Sequence, residues 1–207
     1  MAETFALVID GLEHLNSLDE LPRDIVRSAR IAVNDAATRG RTEMGREVLR
    51  EVNFPADYVA PRNKRLFVSK KASNSDLESI ITARSRPTSL ARFAKSSTPG
   101  RGKSGVRVEV KPGAVRTLTG AFLIRLRAGN ANLDTKSNLG LAVRTKDGRP
   151  PPGYRPAQIG PNLWLLYGPS VSQIVFSERN NGGVATDLSP EIQQMLEDEF
   201  WRQMELK

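Results

Sequence analysis

The sequence predicts an α+β fold: a long N-terminal helix packed on a small antiparallel β-sheet, with extended loops and a C-terminal helix. Three patterns predict it. After Pro22 no proline interrupts the chain to about Val52, and Ile25, Ala29, Ala32, Val33, Ala36, Met44, Val48 and Val52 recur at three- and four-residue steps. That is helical spacing, and a helix of roughly 30 residues is about 45 Å long. Short alternating segments follow, each bounded by turn residues, as strands of a half-buried sheet require. The last stretch opens on Ser189-Pro190-Glu191 and sets Ile192, Leu196, Phe200 and Met204 on one stripe, which predicts an amphipathic helix over 189–206.

Taken in order, "TFALVID" (Thr4 to Asp10) alternates as a short strand, and "GLEHLNSLDEL" suggests a helical turn or two. The long helix covers 22–52, with Pro22 suited to its first turn and "NFP" as its stop. Gly40 and Gly45 weaken it midway or admit a close neighbour. Its arginines (Arg23, Arg27, Arg30, Arg39, Arg41, Arg46, Arg50) are scattered around the cylinder, the pattern of a solvated face. Residues 62–176 are expected to form the sheet. One turn of helix in "PADYV" precedes a strand at Leu66 to Val68, followed by strands at Leu77 to Ser85, Gly105 to Val110, Gly120 to Arg127 and Leu139 to Lys146. Basic loops are expected at 94–105 and 146–161, the second because "KDGRPPPGYRPAQIGP" is too rich in proline and glycine for regular structure.

Composition bounds the function. At 207 residues and 39% hydrophobic content, the chain suits one compact domain, or one domain with long arms. It has no cysteine, which excludes disulfides, thiolate metal sites and cysteine nucleophiles, and a single histidine, His14, removes most zinc and Ser-His-Asp schemes. The acidic N-terminus does not read as a secretory signal, and the longest apolar runs, "AFLI" and "LWLLY", fall far short of the ~20 residues that span a bilayer. A soluble protein made in the cytosol, without a membrane partner, is expected.

The net charge of +8 is unevenly spread. Residues 53–160 carry 21 bases against six acids, residues 1–20 carry five acids and no Lys or Arg, and residues 161–207 carry three bases against seven acids. A basic centre between acidic ends suits nucleic acid, an acidic protein partner, or copies of the chain docking head to tail.

The candidates for catalysis fail one by one. "TPGRGKSG" (98–105) ends like a phosphate-binding loop, but that loop needs a glycine at position 97, where this chain has serine. Its flanks are also wrong, since "GVRVEV" after it alternates as a strand instead of opening a helix. "YGPSV" (Tyr167 to Val171) lacks the Gly-x-Ser-x-Gly of a nucleophile elbow. Glu197, Asp198 and Glu199 are consecutive on a helix, so they point in different directions and read as solvated carboxylates. No catalytic residue, cofactor or metal is expected.

The order of segments carries a resemblance. "IDGLEHLNSL", "ARIAVNDAATRGRTEMGREV", "RPTSLARF", "GVRVEVKPG", "GAFLIRL", "LYGPSVSQIVF" and a terminal helix follow one another in a way that resembles the family of the lambda minor tail protein Z, from about Ile9 to Phe200. The resemblance implies a tail-completion protein of a long-tailed bacteriophage, a virion component at the head-proximal end of the tail, with no enzymatic activity. It implies a ring of about six copies. The implied partners are other copies of the chain and neighbouring tail-terminator, tail-tube or head-connector proteins, with DNA passing transiently through the lumen. For Pro87, Leu90, Phe93, Gly120, Ala121, Phe122, Gly168, Pro169 and Ser170 it implies roles in fold and contacts. Phe93 and Phe122 then read as core or sheet-edge packing, and Gly168-Pro169 as a turn after an apolar strand that presents Ser170 to a neighbour. Arg101 and Lys103, in the first basic loop, would face DNA or acidic residues of an adjoining ring. Tyr154, in the second loop, is a further candidate contact. The acidic C-terminal helix and the "PPPGYRP" segment depart from lambda's version. The rival reading is a sequence-independent nucleic-acid-binding protein, favoured by the central basic excess and opposed by an aromatic content of only 6%.

Overall fold

The computed structural model describes residues 3–7, 21–95, 105–126, 139–153, 155–177 and 183–206. It is an α+β structure with a long N-terminal helix, antiparallel sheets and a C-terminal helix. The chain divides into two compact units. The first comprises Met1–Val48, Val59–Ser85 and Val171–Lys207, and the second Leu49–Tyr58 and Arg86–Ser170. The strands are distributed over three antiparallel sheets where the sequence suggested one.

In the first unit, helix α1 (Arg23–Glu51) begins where the Pro22 carbonyl accepts from Ile25 N at 2.9 Å. Asp24 in its first turn and Arg50 in its last suit the helix dipole. Ala29, Ala32, Val33, Ala36, Ala37, Met44 and Val48 are buried, which accounts for nearly all of the predicted stripe within the unit. The helix runs unbroken through Gly40 and Gly45, and both admit neighbours. A Cβ at Gly40 would lie 2.8 Å from Ile192 Cδ1, and one at Gly45 would lie 3.7 Å from Val59 Cγ2.

A three-stranded sheet lies in the same unit, in the order β1 (Glu3–Leu7), β3 (Ser79–Ala83), β2 (Leu66–Lys70). Ser79, Ile81 and Ala83 of the central strand are fully buried, so one face is core. Two polar ties hold α1 to this unit. Asn34 reads the backbone of Ala72 twice, donating Nδ2 to its carbonyl at 3.0 Å and accepting its N–H at 2.9 Å. Arg41 donates Nε to the Leu66 carbonyl at 3.0 Å and Nη2 to the Val59 carbonyl. Arg41 therefore departs from the solvated face expected of the helix arginines. It is buried, and burial lowers its pKa from the ordinary guanidinium range.

The short helix α2 (Val171–Val175) follows, and Ser172 joins it to the sheet. Its N–H donates to the Arg84 carbonyl and its Oγ to Glu3 Oε2 at 2.6 Å. Helix α3 (Gly183–Glu205) starts six residues before the expected Ser-Pro-Glu signal, so Pro190 lies inside it. Gly183 sets this start. At φ +69° its missing Cβ would stand 2.7 Å from the Ile174 carbonyl, a position only glycine fills.

The second unit is built around β10 (Leu163–Gly168). It pairs with β9 (Arg155–Gly160), β8 (Leu139–Arg144) and the two-residue β4 (Thr88–Ser89), and β7 (Ala121–Arg125) completes the sheet on β8. Neighbouring residues are buried together in the inner strands, Leu165 with Leu166 and Leu141 with Ala142, so both faces are covered. A separate hairpin joins β5 (Val106–Glu109) to β6 (Val115–Leu118). Strand β9 corrects the expected loop at 146–161, since its proline is tolerated at a sheet edge. The predicted helical turn at 11–21 falls, apart from Leu21, outside the described residues, as does His14.

Since Gly40 and the fully buried Ile192 leave no room between them, Gly40→Leu is expected to destabilise the protein by about 2 kcal/mol through overpacking, despite leucine's better helix propensity. A denaturant midpoint at or above the parent's would contradict this.

Candidate interaction site

Most of the family-implied residues come together, inside the second unit. Leu90 and Phe93 flank a one-turn 3₁₀ helix (Leu90–Phe93) capped by the Ser89 hydroxyl, which accepts from Ala91 N. Both side chains are buried against Gly168, where a Cβ would lie 3.0 Å from Leu90 Cδ2 and 3.4 Å from Phe93 Cε2. Thr88 pairs with Gly168 and donates its N–H to the Pro169 carbonyl, which brings Pro87, Pro169 and Ser170 to the same corner. Phe54 stacks on Tyr58 at 4.4 Å and meets Phe93 at 5.4 Å. The Tyr58 hydroxyl reaches Thr88 Oγ1 at 2.9 Å, and the Arg92 guanidinium lies over the Tyr58 ring.

This corner is core. Phe93 is packed as expected and Phe122 is half-buried on β7, opposite Ala142. Ser170 corrects the reading that it faces a neighbour, because it is fully buried. Arg101, Lys103 and Tyr154 lie outside the described residues.

The first unit carries an open groove of about 600 Å³ that the sequence did not point to. One wall is β1, through Phe5, Ala6 and Leu7. Successive strand residues point to opposite faces, so three in a row line one groove only when it runs along the strand's edge. That edge is open: among the described residues β1 pairs only with β3, in unbroken register from Glu3↔Ala83 to Leu7↔Ser79. The other wall is α3, through two i,i+4 rows: Ser189, Gln193, Glu197, Trp201 and, beside them, Ile192, Leu196, Phe200. Trp201 is 63% exposed, the floor is apolar, and Glu191, Glu197, Asp198 and Glu205 are exposed along the helix.

Glu199 is the exception among the acids and corrects the reading of all three as solvated. It is only 3% exposed and accepts from Arg202 Nε at 2.8 Å, Arg202 Nη2 at 2.5 Å and Gln203 Nε2 at 2.7 Å, with Arg39 at 4.0 Å. The Arg202 hydrogen bonds hold its carboxyl below the usual carboxylate range against the opposing effect of burial, and Glu199 in turn raises Arg202. Arg202 and Gln203 lie on α3 itself, so their bonds brace one turn of the helix, and Arg39 of α1 at 4.0 Å links the cluster to a neighbouring element. An acid on a predicted helix with arginine three residues on is the signal that marks it in the sequence.

Among the described residues no group of three or more His, Asp or Glu side chains is placed to hold a metal ion, and no helix is long and apolar enough to cross a membrane. No family model, curated protein or solved structure matches the chain.

Glu199→Gln should lower stability at neutral pH by about 1 kcal/mol, because its partners Arg39 and Arg202 remain hydrated. The Glu199 pKa is depressed on folding, so its contribution is present above the unfolded carboxylate pKa and is lost as pH falls through the lower folded value. Denaturation midpoints of parent and variant should therefore differ at pH ~7 and converge as pH falls below the ordinary carboxylate range. A gap that persists in acid would refute the ion-pair account.

Proposed function

We propose that this chain is a structural virion protein of a long-tailed bacteriophage, completing the tail at its head-proximal end. Copies form a ring of about six at the head-tail junction, through which DNA passes. The ring joins the tail to the filled head and performs no catalysis. The observation that carries this reading is the order of segments from about Ile9 to Phe200, which resembles the lambda minor tail protein Z family. A long helix with antiparallel sheets is compatible with it, as is the segregation of charge into a basic 53–160 between acidic ends, which provides the unlike faces that a head-to-tail ring needs. The ring's other contacts are with tail-terminator, tail-tube or head-connector proteins.

A second reading rests on one observation, the 21 bases against six acids in residues 53–160, which would give sequence-independent nucleic-acid binding with steep salt dependence. Quantitative mass spectrometry of the phage particles and isolated tails decides between the two. About half the copy number of a portal of about twelve chains is the expected result. Absence from both particles, together with a duplex mobility shift that disappears as salt rises, would replace the ring with the nucleic-acid reading.

A further inference from the structure

The open edge of β1 has a counterpart elsewhere in the chain. Strand β6 pairs only with β5, from Val106↔Leu118 to Glu109↔Val115, and its outer edge has no partner among the described residues. Val115, Arg116 and Thr117 are exposed, Val115 by 40%, and exposed Arg107 and Lys111 flank them. Val106 and Val108 face the core, so the register leaves Val115 and Thr117 on the outward face of the hairpin.

Open strand edges recruit further strands unless charge, proline or a bulge protects them. On β1 there is no Pro, its single charge is Glu3 at the strand's start, where the carboxylate accepts from Ser172 Oγ, and its pairing to β3 has no bulge. Glu197, the one carboxylate among the groove's lining residues, disfavours an acidic strand and favours a basic one. On β6, Arg116 guards the edge against indiscriminate pairing but suits an acidic groove.

We propose that β6 of one copy adds to the open edge of β1 of a second copy, entering the groove between β1 and α3. Backbone hydrogen bonds along β1 supply the pairing. Val115 gives the incoming strand an apolar contact for the groove floor. Arg107 shares its face opposite Thr117 while Arg116 points to the other face, and with Lys111 they bring positive charge to Glu197, the nearby Glu109 being paired with Lys95. Different surfaces of the two copies meet, so the contact is heterologous and repeats from copy to copy. This inference rests on the ring reading only for its biological setting, because the contact itself is measurable in solution.

The test uses two exposed charges in the full chain, Glu197→Arg and Arg116→Glu, followed by sedimentation velocity at low and high salt. The parent should associate with concentration and dissociate as salt rises. Each reversal alone should weaken association by about tenfold or more. An equimolar mixture of the two should recover parent-like association, since each mispaired surface then finds its reversed complement. A parent that stays monomeric at about 1 mM overturns the proposal. So does association indifferent to Arg116→Glu, which is what β1-to-β1 pairing or capture of the groove by another segment would give, and so does a mixture that fails to recover. Virion stoichiometry is independent of all three, so particles with the expected copy number beside an overturned strand pairing would leave the ring standing and remove only this interface.

Discussion

The close approach permitted by small side chains along α1 is the constraint on which the first unit depends. Ala29, Ala32, Ala36, Ala37 and Gly40 leave little beyond the backbone on the buried stripe, so side chains of neighbouring elements can lie against the helix itself. Ile192 fills the space above Gly40, and Val59 and Leu66 lie over Gly45. The polar ties of Asn34 and Arg41 reach backbone atoms of the neighbouring segments. With Ile192 seated against Gly40, α3 presents Glu197 and Trp201 to the groove beside β1. Packing in the helix pair thus orients the surface that is open for interaction.

In the second unit β10 has the organising role, as the strand shared by β9, β8 and β4. Gly168 ends it where Leu90 and Phe93 close over the backbone, so the residues implied by the family resemblance serve that closure. A buried Ser170 makes the point clearly, since its surroundings are those of a core turn. Among the described residues, the edges of β1 and β6 are two of the outer strand edges, and they carry opposite charge environments.

Legibility in the sequence followed burial periodicity. The stripe of α1 and the strands at Leu66, Ile81, Val106 and Leu123 were readable because one face of each is core, and a core face imposes a period, whereas the strand at Leu141, covered on both faces, was readable as a short apolar run. Strand β6 escaped because it is almost wholly exposed, β4 because two residues have no period, and β9 because Pro156 speaks against a strand except at an edge. The start of α3 was misplaced because Ser189-Pro190-Glu191 carries a start signal, while the physical start is set by how Gly183 fits against the end of α2.

Residue types and their spacing by themselves determined the α+β class, the long helix, the amphipathic C-terminal helix and the separation of acidic from basic segments, because each is a local or compositional property. They also determined the absence of any thiol chemistry, since the chain has no cysteine. The burial of Arg41 and Glu199, the inward position of Ser170, and the meeting of the β1 edge with α3 were decided by tertiary structure alone. The physical reason is that whether a charge is solvated or paired, and whether a strand edge is open or covered, depends on neighbours distant in sequence, which periodicity does not encode.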